Sequence, residues 1–83
     1  MQLRYTPHQV PRGARADAEK GNKIYLIKKV RSLRATYQVR LLALRARQEG
    51  RVLVLMVPKG CTYHPSLKLL VHQFRDVFRR EVL

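Results

Sequence analysis

Six consecutive apolar residues, Val52 to Val57, stand between Gly50-Arg51 and Pro58. No other stretch limits the fold so tightly. The run is too short for a membrane span, which needs roughly 20 apolar residues. It is rich in β-branched side chains and lacks the alternation of a half-exposed hairpin, so Arg51–Val57 reads as a strand buried on both faces. Such a strand belongs at the centre of a parallel or mixed sheet.

A second strand precedes it at Lys23–Val30. Ile24, Leu26 and Val30 fall on one side and Tyr25 and Ile27 on the other, so this strand also expects cover on two faces. Between the two, Ser32–Glu49 reads as a helix. Ser32 is the expected N-cap, and Gly50 sits where a left-handed residue ends a helix cheaply. Strand, helix and strand compose a βαβ unit with a right-handed crossover. The helix carries two apolar stripes at 100° per residue. Ala35, Val39, Leu42 and Ala46, with Ala43 beside them, suit close packing on a sheet. Leu33, Tyr37, Leu41 and Leu44 need a second cover, supplied by the rest of the chain, a protein partner or a second copy.

Pro65 suits the first turn of another helix, and Leu67, Leu70, Val71 and Phe74 give it an apolar face. Asp76–Leu83 carries both helical and alternating spacing. Two parallel strands make a poor sheet, so a third strand here is favoured, after a turn at Arg75-Asp76. Met1–Asn22 contains Pro7, Pro11, Gly13 and Gly21 and reads as a flexible basic arm, with Leu3-Arg4-Tyr5 as a candidate edge strand. The expected architecture is therefore a small α/β domain, residues 23–83, of order β-α-β-α(-β). Its sheet is mainly parallel with two to three strands, preceded by the arm at 1–22.

Eighty-three residues allow one domain with a modest core. Charge is the unusual quantity: 18 Lys+Arg against 5 Asp+Glu give a net +13. Residues 23–51 hold nine of the cations and one acid. Such a field draws nucleic acid or an acidic protein. Lys28, Lys29, Arg31, Arg34, Gln38, Arg45 and Arg51 are the candidate nucleic-acid contacts, with Arg34, Gln38 and Arg45 as a row along the helix. Aromatic residues are 7% of the chain, and no stacking platform is evident. Weak sequence preference, for DNA or RNA alike, is the expectation.

The loop Pro58–Pro65 follows the central strand at its carboxyl end, where open α/β sheets commonly bind ligands. Lys59, Gly60, Cys61 and Thr62 are its candidate anion-binding residues. Cys61 and His64 lie three apart without an orienting acid, which is a weak pattern for a nucleophile. The five carboxylates form no acid/base pair, and His72 has no second metal ligand near it. No catalytic residue, metal or cofactor is expected. A single cysteine gives no intrachain disulfide, and the first 22 residues lack the apolar core of a secretory signal. The composition fits a cytoplasmic, non-enzymatic binding module without membrane association. The competing reading is a protein-interaction or homodimerising accessory protein that uses the Leu33/Tyr37/Leu41/Leu44 stripe.

Overall fold

The computed structural model describes residues 15–83; Leu3-Arg4-Tyr5 and most of the expected arm lie outside them. Six strands and two helices follow in the order β1 Ala18–Lys20, β2 Lys23–Ile27, β3 Ser32–Leu33, α1 Tyr37–Glu49, β4 Val52–Val57, β5 Thr62–Tyr63, α2 Pro65–Gln73 and β6 Phe78–Val82. The main sheet has the order β1-β2-β4-β6. β2, β4 and β6 run parallel, while β1 is antiparallel to β2. The domain is thus α/β with a mixed four-stranded sheet, one strand more than the sequence pattern requires.

The added strand comes from the segment assigned to the arm. Ala18-Glu19-Lys20 has no β-forming side chain of its own, and all three residues are exposed. A two-residue turn that opens with Gly21 at φ 59 folds it back on β2. Glycine adopts that left-handed backbone without steric cost. The Asp17 carboxylate then accepts a hydrogen bond from the Ile27 amide at 2.6 Å, tying the entry of the hairpin to the end of β2.

Crossovers of the common right hand, stepping in one direction across β2, β4 and β6, put both helices on one face. The core has that arrangement. Ile24 and Leu26 of β2 and Leu53, Leu55 and Val57 of β4 join Val39, Leu42, Ala43 and Ala46 of α1 and Leu67 of α2 in one buried cluster. The small residues on α1 allow its backbone to approach the sheet closely, as the Ala-rich stripe predicts. Val54 is fully buried but stands outside this cluster, on the opposite face, in register with Tyr25 and Arg79. The central strand is therefore buried at its middle on both sides, although both helices lie on one.

The first helix is capped four residues later than expected. Ser32 and Leu33 pair with Thr62 and Tyr63 as a two-residue parallel ladder, and Thr36 is the cap, its hydroxyl accepting from the Val39 amide at 3.3 Å. A strand partner thirty residues away outcompetes the local helical pattern. The C-terminal end follows expectation: Gly50 at φ 66 donates its amide to the Ala46 and Arg47 carbonyls. Residues 74–77 turn, and β6 completes the sheet as a strand.

Candidate nucleic-acid interface

Three parallel strands aim their carboxyl ends at one rim of the sheet, and the N-termini of α1 and α2 start from that rim. Two connections form it, residues 28–36 after β2 and residues 58–64 after β4. Thr62 donates its amide to the Arg31 carbonyl at 2.8 Å, and the His64 amide donates to the Leu33 carbonyl at 2.9 Å. The Ser66 hydroxyl accepts from the Ala35 amide at 3.1 Å. These bonds lock the two loops together, so cations carried on either loop share one surface.

Lys29, Arg31, Arg34 and Lys59 are exposed on this rim, and Lys28 is half-buried. None forms a salt bridge with a carboxylate among the described residues. Arg34 precedes the α1 cap, so it leaves the helical row that the sequence assigned to Arg34, Gln38 and Arg45. Gln38 supports the rim from behind, donating its amide nitrogen to the Arg15 carbonyl at 2.9 Å.

Arg45 and Arg51 lie at the opposite end of the sheet. Arg45 reaches Glu19 at 2.6 Å and Glu49 at 3.1 Å, while Arg51 reaches Glu19 at 2.7 Å and Glu49 at 3.1 Å. Arg51 also donates to the carbonyls of Gly21 and Lys23, stitching the hairpin turn to β4. The hydrogen bonds from Arg45 and then Arg51 hold the Glu19 carboxyl below its usual range, and the same contacts raise both guanidinium pKa values. These two of the seven candidate contacts are thus spent inside the domain. Sequence reasoning missed this because Glu19 is carried there by β1.

The Lys59–Thr62 loop turns part of its backbone inward. Cys61 donates its amide to the Pro58 carbonyl and Thr62 its amide to Arg31, so two of the four amides are unavailable to an anion. The first turn of α2 is also closed. Ser66 donates its amide to His64 Nδ1 at 3.1 Å, and the Leu67 and Lys68 amides both reach the His64 carbonyl. What this rim presents to solvent is therefore side-chain cations, not an open helix end.

Arg80, which sequence reasoning passed over, holds the loop in place. From β6 it donates to the Cys61 carbonyl at 2.6 Å and the Lys59 carbonyl at 3.4 Å, and its guanidinium lies 5.1 Å from the Tyr63 ring centroid. Burial raises the Tyr63 phenol pKa despite that cation. The alternation of Phe78, Arg80 and Val82 was the signal that could have put Arg80 on the helix-covered face. Cys61 and His64 have separate partners: the thiol is buried in the core and donates to the Thr62 carbonyl, and His64 Nδ1 meets the Ser66 hydroxyl. No group of three or more potential metal ligands occurs among the described residues.

The apolar stripe is largely consumed within the chain. Leu33 and Leu41 are buried in the core, Leu44 is half-buried, and Tyr37 alone is mostly exposed. At the amino end, a cleft of about 420 Å³ lies between α1, α2 and β4, with Arg47 stacked on Phe74 and Asp76 on its wall. Arg51 and Arg75 also line it. No helix among the described residues is long and apolar enough to cross a membrane. Compared with known proteins, the chain matches no family model, no curated protein and no solved structure.

Proposed function

We propose that the domain is a non-catalytic module that binds nucleic-acid phosphates through the rim formed by Lys28, Lys29, Arg31, Arg34 and Lys59. The observation that carries this reading is the gathering of five cations on two loops that hydrogen bonds tie together. Carboxylates pair Arg45 and Arg51 at one end of the sheet, where Arg47 and Arg75 stay outside those pairs, and five cations gather on two tied loops at the other end with no salt bridge among the described residues. Arginine forks on a fixed loop suit phosphate oxygens. Side chains that reach phosphates give position and affinity without reading base edges. Binding is therefore expected to show weak sequence preference, to DNA or structured RNA.

Fluorescence anisotropy with labelled duplexes across a salt series tests the proposal. Five phosphate contacts give log K against log salt a slope of about −4.5 on duplex DNA. Replacing Lys28, Lys29, Arg31 and Arg34 together by alanine is expected to flatten that slope to about −1. No binding at low salt, or a quadruple variant that binds as the parent does, would reject the rim as the contact surface.

A further inference from the structure

We infer that a second copy of this chain docks on the outer edge of β6, extending the sheet by antiparallel pairing centred on Arg80. β6 ends the sheet order, so its far side has no strand partner among the described residues. It is the longer of the two edges, five residues against three in β1. Exposed apolar side chains gather at its end: Val82 is 57% and Leu83 50% exposed.

The backbone phase is fixed by the bonds to β4. Leu53 donates to the Val77 carbonyl at 2.7 Å, and Leu83 donates to the Val57 carbonyl at 3.0 Å. Alternation along the strand then turns the peptide groups of Val77, Arg79, Glu81 and Leu83 inward and those of Phe78, Arg80 and Val82 outward. Pairing centred on Arg80 sets Phe78 opposite Val82 of the second copy and Arg80 opposite its equivalent. All the outward amides and carbonyls of these residues then find partners as hydrogen-bonded pairs.

Charge selects this register over its neighbours. Centred on Arg80, Arg79 faces Glu81 of the second copy, twice by symmetry, and neither residue has a salt bridge among the described residues. A shift to Arg79 opposes two Arg79 side chains, and a shift to Glu81 opposes two carboxylates; like charges directly opposite disfavour pairing. The apolar Phe78–Val82 pairs favour the same register. Arg80 does not spoil it, because its guanidinium is drawn back onto its own Cys61 and Lys59 carbonyls. Edge charges often keep strands apart, but the order Phe-Arg-Arg-Glu-Val is self-complementary when reversed. A two-fold axis normal to the sheet keeps both helix layers on one face.

The test is sedimentation equilibrium of the full chain without nucleic acid, over a wide concentration range at moderate salt, where repulsion between two +13 chains is screened. A concentration-dependent dimer is expected. Arg79→Glu should raise its dissociation constant about tenfold or more, and Arg79→Glu with Glu81→Arg should restore it to within about threefold. Val82→Pro removes an outward donor without touching the β4 ladder and should also weaken the dimer. Tyr37→Ala should leave association unchanged. A monomer throughout, a dimer indifferent to Arg79→Glu, or a charge exchange that fails to restore pairing would each overturn the inference. Because nucleic acid is omitted, failure here is distinct from failure of the rim.

Discussion

At the amino end of the parallel strands, Arg45 and Arg51 share Glu19 and Glu49 within 3.1 Å. At the carboxyl end, Lys28, Lys29, Arg31, Arg34 and Lys59 sit on two tied loops and form no salt bridge among the described residues. The same residue types thus do different work. Side chains committed to a carboxylate, and 16% exposed as Arg45 and Arg51 are, hold elements together and have little field left for a ligand. Cations on a rim without carboxylate partners among the described residues keep theirs. The difference shows that a net charge indicates a polyanion partner only after internal pairing is removed.

The largest effect should come from stripping the rim. The Lys28, Lys29, Arg31 and Arg34 quadruple alanine variant is expected to lose about a hundredfold or more of nucleic-acid affinity at low salt, read by anisotropy. Its thermal midpoint should stay near that of the parent. Arg45→Gln should do the reverse, sparing most of the affinity while lowering stability. A quadruple variant that unfolds, or an Arg45→Gln variant that loses binding equally, would erase the distinction between the two ends.

Arg80→Ala comes next. It removes the guanidinium donor from the Cys61 carbonyl, and a hydrogen bond to a charged group contributes about 1.5 to 3 kcal/mol net. Amide exchange should quicken in residues 59–62 more than in β4. Uniform exchange across the domain would show that Arg80 does not position the rim loop.

Glu19→Gln should cost about 1 kcal/mol or less, because the carboxylate is 37% exposed and solvent screens its pairs. Urea unfolding reads the difference, and affinity for nucleic acid should not fall.

The smallest effect is the pH dependence of that same contact. Glu19 ordinarily titrates at 4.5, and its folded pKa is lowered. Its contribution is therefore present above about pH 4.5 and lost as pH falls through the lower folded value. The stability gap between parent and Glu19→Gln should close in acid; a gap that persists there would assign the effect to packing.

Much of the fold was legible from local pattern. The Val52–Val57 run, the Gly50 cap and Pro65 at the head of α2 each follow from short-range chemistry, whereas the strand at Phe78–Val82 was favoured because two parallel strands alone make a poor sheet. β1 was not legible because its residues have no strand preference; only the Gly21-Asn22 pair pointed to a hairpin. The start of α1 was misplaced because Ser32 and Thr36 are both competent caps, and the choice rests on a ladder with Thr62 and Tyr63. The candidate site divided for the same reason. Sequence places nine cations in residues 23–51 but says nothing of which meet a carboxylate.

By itself, the order of residues determined the class of domain, the central strand, the excess of positive charge and the small-residue face of α1, since these depend on composition and periodicity along the chain. Which arginines meet a carboxylate, where the helix begins and which strands lie at the edges of the sheet were decided only when distant segments met. Ion pairs and strand ladders are contacts in space, and their strength depends on separations that no local pattern encodes.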